Sequence, residues 1–254
     1  MASRGLIEDP ADASSLIERG AVLVDGVKAT KPSTLVSASA QISLDSAAKS
    51  FVSRGGEKLA GALDELGIDP AGLKCLDVGT GSGGFTDCLL ERGALSVTAV
   101  DVGYGQFDFK LRNDPRVRLI ERTNFRLIPL SELDPPFDLI VGDLSFISLT
   151  TVMEKLAACA SAGGRLLLLV KPQFEAEPAR VPAGGVIRDY HVWEEALRKV
   201  ASSIESQGMR VSDMAASRLR GAKGNVEFFI LADRGESVPP SATLIEKALA
   251  GVPA

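Results

Sequence analysis

The sequence predicts an α/β fold: a mostly parallel sheet covered by helices on both faces, preceded by a small α+β unit. Three observations carry this. From Lys74 onward, apolar runs of strand length alternate with segments of helical periodicity. Polar residues with chemistry (Asp77, Asp101, Asp143 and Lys171) stand at the ends of these runs. The last two runs, Met209–Ser217 and Val226–Asp233, are joined by a glycine-containing loop without a helix, so they pair as an antiparallel hairpin at one sheet edge.

The elements follow in order. Residues 1–45 form the small unit. In it, Ala11–Arg19 reads as a short helix stopped by Gly20, and Ala21–Val24 as a strand turned by Asp25-Gly26. Gln41–Leu44 reads as a further short strand, and residues 46–57 as a linker. The main domain, 58–236, opens with helical spacing over Lys58–Leu66. Strands are expected at Lys74–Val78, Ser96–Val100, Arg118–Arg122, Phe137–Val141 and Gly164–Val170. Helices are expected at Gly84–Arg92, Leu149–Ala160 and Val192–Gln207. Residues 237–254 read as a tail with no structural signal.

Composition narrows the function. With 254 residues, 45% of them hydrophobic, the chain can build one good core and a small appendage. A net charge of −5 argues against a protein that simply coats polyanions, although a local basic face can still bind nucleic acid. The three cysteines, Cys75, Cys88 and Cys159, form no CxxC pair and read as packed reduced thiols. One histidine, His191, and no ligand cluster leave a metal site without support. No apolar stretch approaches the ~18–20 residues of a membrane span, and no signal peptide is recognisable, so a cytoplasmic protein is expected.

The run Asp77-Val78-Gly79-Thr80-Gly81-Ser82-Gly83-Gly84-Phe85-Thr86 is a glycine loop between a strand and a helix. Glycines let the backbone turn tightly and approach a ligand. Ligands of open α/β sheets bind beyond the carboxyl ends of the strands, where Asp77, Asp101, Asp143 and Lys171 all fall. Gly79-x-Gly81-x-x-Gly84 also satisfies the dinucleotide pattern, with Asp101 placed for ribose hydroxyls, so an NAD-dependent oxidoreductase is a competing reading. Asp77 before the first glycine suits a cofactor that bears a cation better than a pyrophosphate. Together with the terminal hairpin it favours S-adenosylmethionine. The loop residues Asp77, Gly79, Gly81, Ser82, Gly83, Gly84, Phe85 and Thr86, with Asp101, are the cofactor-binding candidates.

Methyl transfer from a sulfonium needs positioning and a competent nucleophile. Amino-group methylation often uses Pro-Pro-aromatic after the acid of the fourth strand, where this chain has Asp143-Leu144-Ser145-Phe146. Methylation of a pyrimidine carbon usually needs a cysteine, and none lies at a strand end. Lys58, Asp143, Lys171 and Glu227 remain, a set suited to orienting a sugar hydroxyl and taking its proton. A cation at Lys58 would push the pKa of Lys171 down, whereas Asp143 and Glu227 would push it up.

Several further segments are distinctive: Ser53-Arg54-Gly55-Gly56-Glu57-Lys58-Leu59, Asp101-Val102-Gly103, Thr123-Asn124-Phe125-Arg126, Asp143 to Leu149, Val170-Lys171-Pro172-Gln173-Phe174-Glu175 and Gly224-Asn225-Val226-Glu227-Phe228. With the glycine loop, they make the chain resemble the TlyA family of bacterial rRNA 2′-O-methyltransferases, relatives of the FtsJ methyltransferases. The resemblance covers almost the whole chain. It implies a Rossmann-like S-adenosylmethionine-dependent methyltransferase sheet behind a small N-terminal α+β RNA-binding module. It implies Lys58, Asp143, Lys171 and Glu227 as the catalytic set and Asn124 as a further cofactor residue. It implies cytidine ribose in ribosomal RNA, free or in ribosomal subunits, as substrate. The module would lack its first helix, because the chain opens almost at Ser3-Arg4-Gly5-Leu6. It carries few cations (Arg4, Arg19, Lys28, Lys31) against five acids. Arg4, Arg19 and Lys31 there, and Arg54, Arg188, Arg218, Arg220 and Lys223 around the crevice, are the RNA-binding candidates. Members of the family are often labelled haemolysins, so a membrane-active protein is a second competing reading.

Overall fold

The structure, a computed structural model, describes residues 51–235 and 240–252 and, before them, residues 6, 13, 16, 17, 21–31, 33–37 and 39–44. Ala13, Leu16 and Ile17 are helical; the remainder of the expected first helix, and residues 45–50, lie outside the described residues. Strands β1 (Val22–Val24), β2 (Val27–Lys28) and β3 (Ile42–Leu44) form a small antiparallel sheet in the order β2-β1-β3. The β1–β2 turn is made by Asp25 and Gly26, both at positive φ, as the Asp-Gly pair requires.

The main sheet contains seven strands. They are β4 (Lys74–Val78), β5 (Ser96–Val100), β6 (Val117–Ile120), β7 (Phe137–Gly142), β8 (Ala160–Val170), β9 (Arg210–Ala216) and β10 (Phe228–Asp233). Their spatial order is β6-β5-β4-β7-β8-β10-β9. The first five run parallel, and β10 pairs antiparallel with both β8 and β9. The expected hairpin is therefore present, but its second strand is inserted inside the sheet and β9 takes the edge. Strand order reverses at β4, so the crevice of the sheet opens beyond the ends of β4, β5 and β7.

Helix α1 (Arg54–Glu65) starts four residues before Lys58 and takes in the end of the expected linker. It packs with α2 (Gly84–Glu91) against one face of the sheet. Side chains of β8 alternate between the two faces: Leu167 and Leu169 meet α1 and α2, while Leu166, Leu168 and Val170 face the opposite core. That second core is closed by α5 (Met153–Cys159) and α7 (Tyr190–Glu205). The intervening short helices are α3 (Phe109–Arg112), α4 (Leu130–Leu133) and α6 (Pro172–Glu175). All five apolar residues from Leu166 to Val170 are buried, as expected of a strand covered on both faces.

Three expectations are corrected. The single helix expected over Leu149–Ala160 is a 3-10 turn, Leu149–Thr151, followed by α5. Strand β8 begins at Ala160 and not at Gly164, with a register irregularity against β7 between Phe137 and Leu139. The segment read as a tail contributes α8 (Ser241–Ala250), which buries Leu244, Ile245, Ala248 and Leu249 against α7 and β9. Lys247 pins it to Asp213 of β9 at 2.7 Å.

Candidate active site

The loop after β4 is shaped by glycines with different tasks. Gly79, Gly81 and Gly83 all have positive φ, a region that L side chains rarely adopt. A Cβ on Gly79 would lie 2.9 Å from the Asp143 carbonyl, so this residue lets the β4 loop meet the β7 loop. A Cβ on Gly81 would meet nothing within 4 Å, because this residue faces the open cleft. Gly83 abuts Leu111 and Phe107, and Gly84 abuts Ser53 and Gly56, so these two serve packing. Phe107 therefore packs behind the loop, and Phe109 is exposed.

The cleft over this loop has a volume of about 640 Å³, within the usual range for small-molecule sites. Of the sequence-predicted cofactor residues, Gly79, Gly81, Ser82, Asp101 and Asn124 line it. Asp101 accepts hydrogen bonds from Gly81 N at 2.8 Å and Gly103 N at 2.6 Å, which fixes its carboxylate at the cleft wall. Asp77, Phe85 and Thr86 are not at the cleft surface but beneath it. Phe85 stacks on Phe229 of β10. Asp77 Oδ2 accepts from the Thr80 hydroxyl at 2.8 Å and the Thr86 hydroxyl at 2.7 Å, while Oδ1 has no hydrogen-bond partner. Burial pushes the Asp77 carboxyl up to about 6; the two threonine hydroxyls oppose the rise, and Asp143 adds to it.

The catalytic candidates form two ion pairs. Lys171, at the end of β8, places Nζ 2.6 Å from Asp143 Oδ1 and donates a hydrogen bond to Ser145 Oγ at 2.7 Å. Lys58, in α1, donates to Glu227 Oε2 at 2.6 Å across 169 positions of chain. Topology explains the meeting. Because β10 runs antiparallel to β8, its start lies at the same rim as the end of β8, and Phe228 pairs with Val170. Glu227 and Lys171 are therefore brought side by side. Lys58, Asp143 and Lys171 line the cleft, and Lys171 and Glu227 line an adjoining pocket of about 260 Å³. The four residues thus stand where the two spaces join.

Sequence reasoning passed over two residues here. Ser145 holds the Lys171 ammonium, and its signal was only its place two residues beyond Asp143. Gly221 leaves room for Glu227: a Cβ there would lie 3.1 Å from the carboxyl carbon. Phe146 also stands out, exposed at positive φ between the two spaces with its ring 5.2 Å from that of Phe174. Burial pushes the three cysteines up, Cys75 and Cys88 to about 12 and Cys159 to about 11, which makes them inert thiols.

The cationic candidates are less uniform. Arg4 and Arg19 lie outside the described residues, and Lys31 is exposed on the small sheet unit. Arg54, at the start of α1, donates to the Arg220 carbonyl at 3.2 Å, and Arg218 lies over Gly61 with Nε 3.6 Å from Glu65 at its end, so these three are spread along α1. Lys223 borders the smaller pocket, and Arg188 is exposed on the loop before α7. Arg180, on the same loop, is engaged by Glu195 and Asp189.

A parallel sheet that carries its glycine cleft at the point of strand reversal, and ends in an antiparallel strand set beside the last parallel one, defines a Rossmann-like methyltransferase. The chain belongs to the FtsJ-like methyltransferase family, whose sequence pattern matches residues 51–234. It is 44% identical over 228 residues to the 16S/23S rRNA (cytidine-2′-O)-methyltransferase TlyA of Mycobacterium tuberculosis, covering 89% of this chain and 85% of that protein. It is 40% identical to Hemolysin A of Brachyspira hyodysenteriae, over 89% of this chain and 94% of that one. Among solved structures, a protein of Streptococcus thermophilus with a provisional hemolysin label superposes with a TM-score of 0.78 at 32% identity, covering 98% of this chain and 91% of the other.

Proposed function

We propose that the chain transfers a methyl group from S-adenosylmethionine to the 2′-hydroxyl of a cytidine ribose in ribosomal RNA. The observation that carries the chemistry is the double ion pair, Lys171 with Asp143 and Lys58 with Glu227, at the junction of a cofactor-sized cleft and a smaller pocket. The residues fit the cofactor: Gly81 leaves the cleft floor open, Asp101 offers a carboxylate to a ribose diol, and the orphaned Asp77 oxygen favours a cation nearby. When bound, S-adenosylmethionine supplies a methyl group on cationic sulfur, which departs as a neutral thioether.

The remaining work belongs to the chain. Lys171, after releasing its ammonium proton to solvent, takes the proton of the ribose hydroxyl as the new O–C bond forms and the C–S bond breaks. Ser145 and Asp143 hold its Nζ in place, at 2.7 Å and 2.6 Å. Lys58, held by Glu227, presents a second cation toward the sugar oxygen. Base identity and RNA class rest on likeness: the Mycobacterium tuberculosis relative is named for cytidine-2′-O methylation of 16S/23S rRNA. Arg54, Arg218, Arg220 and Lys223 supply a cationic margin for phosphates. Among the described residues, no helix is long and apolar enough to cross a membrane.

The test is to incubate ribosomal subunits and free rRNA with the protein and labelled S-adenosylmethionine, then map 2′-O-methyl positions. Label should appear on a cytidine ribose and vanish with Lys171→Ala, which should still bind the cofactor. Label on a base, or undiminished transfer by Lys171→Ala, would reject the proposal.

A further inference from the structure

We infer that Glu175 is a positioning residue for methyl transfer, whose buried carboxylate fastens the far end of the loop that carries Asp143, Ser145 and Phe146. The inference rests on the site reading given above. Glu175 is the last residue of α6 and is only 4% exposed. Its Oε1 accepts a hydrogen bond from Leu149 N at 2.7 Å, and its Oε2 accepts one from the Ser148 hydroxyl. Lys199 of α7 lies 3.8 Å from Oε2 and donates to the Glu175 carbonyl at 2.7 Å. A carboxylate is costly in such a place unless it is bonded, and an apolar residue would fill the volume more cheaply. What the charge adds is attachment.

That attachment has a definite object. The short segment Lys171–Glu175 grips the loop Asp143–Leu149 twice. Lys171 holds its near end through Asp143 and Ser145, and Glu175 holds its far end through Ser148 and Leu149. Between the two grips, Phe146 sits at φ 66, 88% exposed. A non-glycine residue keeps this conformation only where its surroundings over-determine it. Lys199 ties the double grip to α7, the longest helix among the described residues. Removing the Glu175 carboxylate frees one grip, and Asp143 and Ser145 then no longer hold the Lys171 amine at a fixed place. Gly81, Asp101 and Asn124 line the cofactor cleft from other loops, whereas residues 143–147 line its remaining wall.

Glu175→Ala, Glu175→Gln and Ser148→Ala would be assayed with ribosomal subunits and S-adenosylmethionine. Calorimetric cofactor binding and amide hydrogen exchange over residues 143–149 would accompany turnover. A ~1 Å misplacement of a reacting group costs about a hundredfold. Glu175→Ala is therefore expected to lower kcat by roughly 10–100-fold, with cofactor Kd within about twofold of wild type and faster exchange confined to this loop. Glu175→Gln keeps a carbonyl for Leu149 and an amide for Ser148, so it is expected to restore most of kcat. Ser148→Ala removes the bond to Glu175 together with the two Thr150 contacts that cap the Leu149–Thr151 turn, and Thr150→Val, which leaves the Glu175 bond in place, controls for the latter. If Glu175→Ala does not fold, this pair carries the test, with a fall in kcat expected for Ser148→Ala beyond that of Thr150→Val at unchanged Kd. Wild-type kcat in Ser148→Ala and in folded Glu175→Ala would overturn the role. So would a loss of cofactor affinity that accounts for the whole effect. A wild type that transfers no methyl group rejects the function itself, whereas slow variants matched by no loop change reject only this inference.

Discussion

Asp77→Asn should remove a specific part of the pH dependence of stability. Asp77 is fully buried at the end of β4, and its carboxyl is pushed from 3.8 up to about 6, with loss of solvation as the main cause. A folded-state pKa above the unfolded one means that the folded chain holds the proton more tightly. The resulting stabilisation is complete below pH 3.8 and is lost as pH rises through about 6. The gap of about two pH units corresponds to ~3 kcal/mol. Asparagine cannot titrate, still offers an oxygen to the Thr80 and Thr86 hydroxyls, and carries only a pH-independent cost for its amide. Urea unfolding of both proteins between about pH 4.5 and 8 measures the effect. The stability of wild type minus that of the variant should fall by about 2 kcal/mol across this range. A difference that stays constant, or grows with pH, would refute the reasoning.

Other outcomes follow from the same geometry. Lys58→Met leaves Glu227, with its side chain 3% exposed, without its partner; a loss of about 3–5 kcal/mol is expected in chemical denaturation. Lys58→Met combined with Glu227→Gln should recover much of that stability but no methyl transfer. Gly221→Ala places a methyl group 3.1 Å from the Glu227 carboxyl carbon, so turnover should drop more than melting temperature does. S-adenosylmethionine at about a hundred times its Kd should stabilise the protein by ~2.7 kcal/mol and raise Tm by roughly 5–10 °C, while NAD leaves Tm unchanged.

Much of the fold was legible because burial on both faces of a parallel sheet writes continuous apolar runs, such as Leu166–Val170, and strand ends put chemistry at predictable places. Lys58, Asp143, Lys171 and Glu227 meet for that reason. Strand order was less legible: alternation announces β9 and β10 as a hairpin but not that β10 is slotted beside β8. Side-chain direction near the glycine loop was also hidden. Proximity to the loop suggested that Asp77, Phe85 and Thr86 touch a ligand, whereas β4 buries Asp77 and the first turn of α2 points Phe85 and Thr86 into the core. Helix α8 did have a signal, since Leu244, Ile245, Ala248 and Leu249 share one helical face, but ten residues behind a proline pair read as a tail.

The placement of β10 has one more consequence. The strand synthesised last in the main sheet is not laid along its border but wedged between two predecessors, so β9 has no neighbour until β10 arrives. The same insertion delivers Glu227 to Lys58. A growing chain can therefore assemble its glycine turns early, while the Lys58–Glu227 pair forms only when the sheet zips shut.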